Sequence, residues 1–198
     1  MSISRRSFVA GAAGMAALSA SRQAIAVTAD NARSHVERTV AEIRKILTGG
    51  GSVSAPALRK IMARQANMPL IAQFCAGRSW RDMNAGQRKG YVDAFGHYIS
   101  VTYARRFSDF AGTPTITIGR TIDAGRKGML VESPIQMPDG KRYAVEWLVS
   151  DRGGAVEIVD LVIERVSMAA TQRDEIGAML DKRSGNVDAL IQALRETK

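Results

Sequence analysis

One cysteine and two histidines are all that this chain of 198 residues offers as soft metal ligands. A single cysteine excludes an internal disulfide framework and a cysteine-rich zinc site, and two histidines leave little for a histidine site. No apolar run reaches the roughly 18 residues that a membrane-spanning helix needs. There is no phosphate-binding loop, no dinucleotide fingerprint, no metal-ligand spacing and no Gly-x-Ser-x-Gly elbow. The length allows one domain, or at most two. What is present is 45% hydrophobic and 24% charged, an ordinary globular balance that excludes wholesale disorder. The conspicuous excess is basic: 28 Lys and Arg against 19 Asp and Glu, a net charge of +9.

Part of that charge belongs to a segment expected to be removed. Ser4-Arg5-Arg6-Ser7-Phe8-Val9 matches a twin-arginine signature, a mild apolar stretch runs from Phe8 to Ala20, and Ala24-Ile25-Ala26 fits a small-x-small cleavage site. Residues 1–26 therefore read as a cleaved export signal that sends the chain to the bacterial periplasm, leaving 27–198 as a single domain. The segment holds Arg5, Arg6 and Arg22 and no acid, so its loss takes the charge from +9 to +6. In an oxidising compartment, Cys75 without a partner is expected to be buried and inert.

The remaining chain reads as helices, then strands, then helices. Over Asn31 to Leu47, Val36, Val40, Ile43 and Leu47 form one helical stripe, and Gly49-Gly50-Gly51 is expected to end it. Ser54 is an N-cap with Pro56 in the first turn, ahead of Leu58, Ile61, Met62 and Gln65. Pro69 opens a third helix, which passes Phe74 and Cys75 and stops at Gly77. Asn84 with Gln87 makes a capping box for the longest helix. Its stripe is Tyr91, Val92, Phe95, Tyr98, Ile99, Tyr103, Phe107 and Phe110. From Thr113 the period changes to two. Thr115–Ile118, Lys127–Ile135, Tyr143–Val149 and Val156–Val166 read as four antiparallel strands, with Pro138-Asp139-Gly140 and Asp151-Arg152-Gly153-Gly154 as turns. Ser167 and Asn186 cap two closing helices. Helices before and after one antiparallel block predict an α+β fold.

Chemistry is sparse along this pattern. His35 is expected at the surface of the first helix, and His97 at the surface or core edge of the long one. Asp93, Asp109, Glu132 and Glu146 have the chemistry of a general base, but no spacing pairs any of them with a second group, so they read as solvated surface acids. Asp160 differs, because it interrupts the apolar run Ile158-Val159-Asp160-Leu161-Val162-Ile163. A carboxylate there is either a structural acid accepting backbone or indole N–H groups or a site residue. The aromatic helix and the apolar face of the sheet enclose either a solid core or a cavity, and both have the same periodicity.

Two blocks carry a resemblance. Gly77-Arg78-Ser79-Trp80-Arg81, followed by Gln87-Arg88, Phe95 and Thr102-Tyr103-Ala104, is similar to the central helical motif of the MlaC family, also called toluene-tolerance auxiliary proteins. Val159-Asp160-Leu161-Val162-Ile163-Glu164-Arg165-Val166-Ser167, leading into a polar helix with Arg173, resembles that family's Asp-Val-x-Ile-x-Gly-Val-Ser pattern. The likeness covers about residues 30 to 196. Arg165 stands where the family usually has Gly, Ala155-Val156 replaces Trp-Lys, and Ala76-Gly77 replaces Leu-Gly.

The resemblance implies a monomeric periplasmic carrier of phospholipid, with no catalytic group, no metal and no cofactor beyond its cargo. It would exchange lipid with an inner-membrane ABC transporter complex and an outer-membrane lipoprotein complex. The implied fold is a twisted antiparallel sheet wrapped by helices, similar to the cone-shaped folds of nuclear transport factor relatives, with acyl chains in an apolar cavity between the layers. Each CH₂ is worth roughly 0.8 kcal/mol, so a chain of about 16 carbons costs about 13 kcal/mol to expose to water. A carrier therefore needs a dry slot, with the headgroup left at the mouth where Arg or Lys can pair its phosphate. On this resemblance the wall candidates are Phe74, Trp80, Phe95, Ile99, Tyr103, Phe107, Ile118, Val145, Trp147 and Val162.

Two other classes stand beside the carrier. A small-molecule isomerase or hydratase on a similar cone-shaped fold needs Asp160 or His97 facing a pocket. A nucleic-acid binder is suggested only by the charge. Export and the scatter of the basic residues along the helices argue against it.

Overall fold

The structure, a computed structural model, describes residues 26–48, 53–108 and 113–198, with residues 48, 107 and 108 described by their backbone alone. Nearly all of the expected export signal, the Gly49–Gly51 stop and Phe110 lie outside the described residues.

Local signals place the helices. Helix α1 (Ala29–Thr48) is amphipathic. The Ser54 hydroxyl accepts the Ala57 N–H at the start of α2 (Ala55–Gln65), which carries Pro56 in its first turn. Helix α3 (Met68–Ala76) is capped by Asn67, whose Oδ1 accepts the Leu70 N–H at 2.9 Å, and it ends at Gly77 with φ +60°. A single turn, α4 (Ser79–Asp82), leads into the long α5 (Ala85–Ser108). The predicted capping box is formed there: Asn84 N–H donates to Gln87 Oε1 at 3.1 Å, and Gln87 N–H donates to Asn84 Oδ1 at 2.9 Å. Ser167 and Asn186 cap α6 (Met168–Asp181) and α7 (Val187–Arg195) by accepting from Ala170 and Ala189.

Between α5 and α6 the described residues form eight strands rather than about four. They are β1 (Thr115–Ile116), β2 (Thr121–Asp123), β3 (Met129–Glu132), β4 (Ile135–Gln136), β5 (Arg142–Tyr143), β6 (Val145–Ser150), β7 (Glu157–Ile163) and β8 (Val166–Ser167). A five-stranded antiparallel sheet has the order β2-β3-β6-β7-β8, and β1-β4-β5 form a small second sheet. The expected first strand, Thr115–Ile118, shortens to Thr115 and Ile116, which pair with β4, and Thr121–Asp123 form a further strand that pairs with β3. The second run divides, at Ser133-Pro134, into β3 and β4. The α+β class holds, and the long strands β3, β6 and β7 are the ones that alternation marks.

At Gly128, φ is +120°, and a Cβ there would stand 2.1 Å from the Val149 carbonyl oxygen. Only glycine lets the chain enter β3 this close to β6.

Two cores result. Helices α3, α5, α6 and α7 meet around Cys75, Tyr91, Phe95, Ile176, Leu190 and Leu194. Helix α1 lays Ala32, Val36 and Val40 on the sheet against Ile116, Val131, Val149 and Ile158. Each large apolar side chain fully buried here contributes about 2 kcal/mol. His35, expected at the surface, is only 5% exposed. It sits one residue before Val36 on the inward side of α1, and its Nε2 meets the Gln65 carbonyl oxygen at 2.8 Å. That contact joins α1 to the end of α2, a non-local partnership with no trace in the helix's own pattern.

Candidate functional site

The two cores do not merge. Between them lies a partly open cavity of about 160 Å³. Helix α2 contributes Leu58, Ile61, Met62 and Gln65, spaced i, i+3, i+4, i+7 and therefore on one face. Helix α5 contributes Phe95, Ile99 and Tyr103, one turn apart each. Thr39 and Ile43 of α1, Ala66, and Met68 and Ile71 of α3 extend the wall. The sheet supplies Trp147 from β6 and Ile158 to Leu161 from β7, and α6 supplies Met168, Ala169 and Gln172.

Trp147 and Leu161 are directly opposite one another across β6 and β7 and share the cavity face. The register then shifts: Leu148 pairs with Asp160, but Val149 pairs with Ile158, leaving Val159 as an extra residue. Such a bulge breaks strict alternation, so four consecutive β7 residues border the cavity.

Apart from Tyr103 and Gln172, the polar side chains of this wall direct their hydrogen bonds away from it. The Trp147 indole N–H donates to the Ser133 hydroxyl at 2.7 Å. Thr39 Oγ1 donates to the His35 carbonyl at 2.9 Å, and Gln65 Nε2 donates to Glu42 Oε1 at 2.8 Å. The Asp160 carboxylate accepts the N–H of Leu161 at 2.8 Å, the N–H of Ala169 at 2.9 Å and the hydroxyl of Ser167. Of the two readings of Asp160, the structural one describes this geometry, with a hydroxyl where an indole was one expectation. The carboxylate ties β7 to the start of α6. His97, the other candidate acid–base group, does not border the cavity, and its Nε2 contacts the Thr197 carbonyl at 2.9 Å. Burial pushes the Tyr103 hydroxyl above its usual range and the Cys75 thiol, next to α6 in the helical core, up to about 12. Among the described residues no cluster of three or more His, Cys, Asp or Glu is placed to hold a metal, and no helix is long and apolar enough to cross a membrane.

Of the ten wall candidates, the structure brings Phe95, Ile99, Tyr103 and Trp147 together at the cavity. Phe74 and Trp80 line a separate outer cleft with Arg78, Arg81 and Arg173, where Phe74 is 45% exposed under the Arg173 guanidinium. Ile118 packs at the edge of the sheet-side core. Val145 is buried but does not border the cavity, and Val162 pairs with Glu146 on the opposite face from Trp147 and Leu161. The side chain of Phe107 lies outside the described residues. The wall also includes the α2 face and the β7 bulge, neither of them among the ten candidates. The former was legible as an apolar stripe, but the latter depends on pairing with β6.

A solved structure of a phospholipid-binding protein from Ralstonia solanacearum, in complex with a phospholipid, shares the fold of this chain. It is 19% identical, with a TM-score of 0.69 over 84% of this chain and 96% of that one. The family model for MlaC protein matches residues 21–196, nearly the whole chain, and the protein therefore belongs to the MlaC family.

Proposed function

We propose that this protein is a periplasmic phospholipid carrier, exported by the signal in residues 1–26, that moves lipid as a monomer between an inner-membrane ABC transporter complex and an outer-membrane lipoprotein complex. The observation that carries the reading is the cavity: its wall is largely apolar, and its polar residues Trp147, Thr39, Gln65 and Asp160 direct their hydrogen bonds into the protein. Family membership and the phospholipid complex of a protein with the same fold support it.

An engineered cavity of about 150 Å³ admits benzene, whereas an acyl chain of about 16 carbons needs several times that space. At about 160 Å³, the cavity has to widen to take in a chain. Met62, Met68 and Met168 in its wall have the flexible, unbranched side chains that repack most readily. The Asn67 N–H to Ile158 carbonyl bond, 2.9 Å, anchors the α2–α3 elbow to β7, so widening has to spread from that hinge.

The direct test is to purify the exported protein from the periplasm and analyse an organic extract by mass spectrometry. Phospholipid at close to one molecule per chain is expected. Protein that carries none and takes none up from liposomes overturns the reading. Replacing Arg5 and Arg6 by Lys is expected to retain the protein in the cytoplasm, as read by cell fractionation.

A further inference from the structure

One buried polar group at the cavity remains unanswered. Gln172 is 2% exposed and borders the cavity from the first turns of α6. Among the described residues, neither its Nε2 nor its Oε1 meets a partner with hydrogen-bond geometry. The Tyr103 hydroxyl of the same wall is near enough for the Gln172 amide to counter a little of the rise that burial imposes on it, but the two do not meet with hydrogen-bond geometry. A buried amide without partners is costly, and folding alone gives no reason to keep one in an apolar wall. The polar side chains of Thr39, Gln65, Trp147 and Asp160 have partners within the protein.

We propose that Gln172 is a ligand-binding residue whose amide N–H donates to the ester carbonyl of a bound acyl chain, fixing how deep the chain sits. The inference rests on the carrier reading and names the group recognised inside the cavity. A neutral carbonyl fits the site better than a phosphate, because among the described residues no Lys or Arg borders the cavity to balance a charge. The ester carbonyl is also the polar group of a phospholipid nearest its apolar tails. Its recognition lets an otherwise slippery chain bind in one register.

The test compares a dipalmitoyl phosphatidylglycerol with its dihexadecyl ether analogue, which has the same headgroup and tail length but no ester carbonyl. Palmitate is the third ligand, and binding is read by displacement of a fluorescent lipid. The unaltered protein is expected to hold the diester about tenfold more tightly than the diether. Gln172→Met is expected to abolish that preference by weakening the diester alone, and to leave the melting temperature of lipid-free protein equal or higher. Equal binding of diester and diether by the unaltered protein overturns the proposal and leaves the carrier reading intact. A Gln172→Met protein that melts lower and loses both lipids equally assigns Gln172 a structural role and also overturns it. Palmitate bound as tightly as the diester, with the same dependence on Gln172, transfers the site to free carboxyl groups and overturns the ester assignment. Failure of both phospholipids to bind the unaltered protein overturns the carrier reading itself.

Discussion

Trp147 and Ser133 hold each other: the indole N–H donates to a fully buried hydroxyl at 2.7 Å. The bond turns the polar edge of the indole into the sheet and leaves its apolar surface to the cavity. Trp80, the other tryptophan, lies in the outer cleft and stacks under Arg88 at 5.4 Å. The two indoles therefore report on different places. A phospholipid brominated on its acyl chain is expected to quench the emission of a Trp80→Phe protein, which retains Trp147, and to leave a Trp147→Phe protein largely unquenched. The reverse pattern places the lipid in the outer cleft. Ser133→Ala, which orphans the indole N–H, is expected to cost about 1–2 kcal/mol in urea unfolding.

Ala66 borders the cavity and has extended backbone angles, φ −119° and ψ 144°, that any side chain adopts. Ala66→Phe is expected to fill much of the space. Lipid retention falls at least tenfold while thermal stability holds or rises, since filled voids gain contacts. Full retention by a folded Ala66→Phe protein moves the site elsewhere.

Glu164 and Arg165, with φ +50° and +66°, form the two-residue turn between β7 and β8. Such a turn prefers Asn-Gly, because both positions are left-handed. The family's usual Gly at Arg165 is thus explained by backbone geometry, and this chain carries strain there. Arg165→Gly is expected to stabilise the protein by about 1 kcal/mol, read as a higher urea midpoint with an unchanged slope.

Asp160 accepts three hydrogen bonds, two of them from backbone N–H groups, and those from Ser167 and Ala169 join its strand to α6. Asp160→Ala is expected to cost about 3 kcal/mol, because it leaves those donors unmatched at a half-buried site. Asp160→Asn keeps one acceptor oxygen and is expected to cost less. A variant with unchanged stability and abolished turnover of some small substrate reverses the assignment and favours the enzyme reading.

Burial raises the Cys75 thiol from 9.0 to about 12 and, with the hydrogen bond to Glu175, the Tyr98 hydroxyl from 10.0 to about 12. Between the unfolded and folded values the native chain holds protons that the unfolded chain has released. Stability therefore falls as pH rises above about 9, and is unaffected by these groups below it. Melting temperatures taken from pH 7 to 11 are expected to decline most steeply above pH 9, and Cys75→Ala to remove part of that slope. Ellman's reagent at pH 8 is expected to leave Cys75 unmodified until the protein unfolds.

The helices and their ends were legible because their causes are local. Ser54, Asn84 with Gln87, Ser167 and Asn186 each satisfy N–H groups within a few residues, and the 3.6-residue spacing of Phe95, Ile99 and Tyr103 puts them on one face whatever surrounds them. Alternation likewise marks β6 and β7. What an apolar face meets is a different matter. Val145 and Trp147 share a strand and a period, yet only Trp147 borders the cavity. Phe74 and Phe95 are equally apolar, yet one lies under an arginine at the surface and the other is buried in the wall. The bulge at Val159 exists only in the pairing of β6 with β7, and the burial of His35 only in the contact between α1 and α2. Sequence alone thus determined the elements, their faces and the absence of a recognisable catalytic motif. Tertiary structure decided where the two cores fail to meet, because a void is a property of the distance between surfaces, and no periodicity along one chain segment encodes that distance.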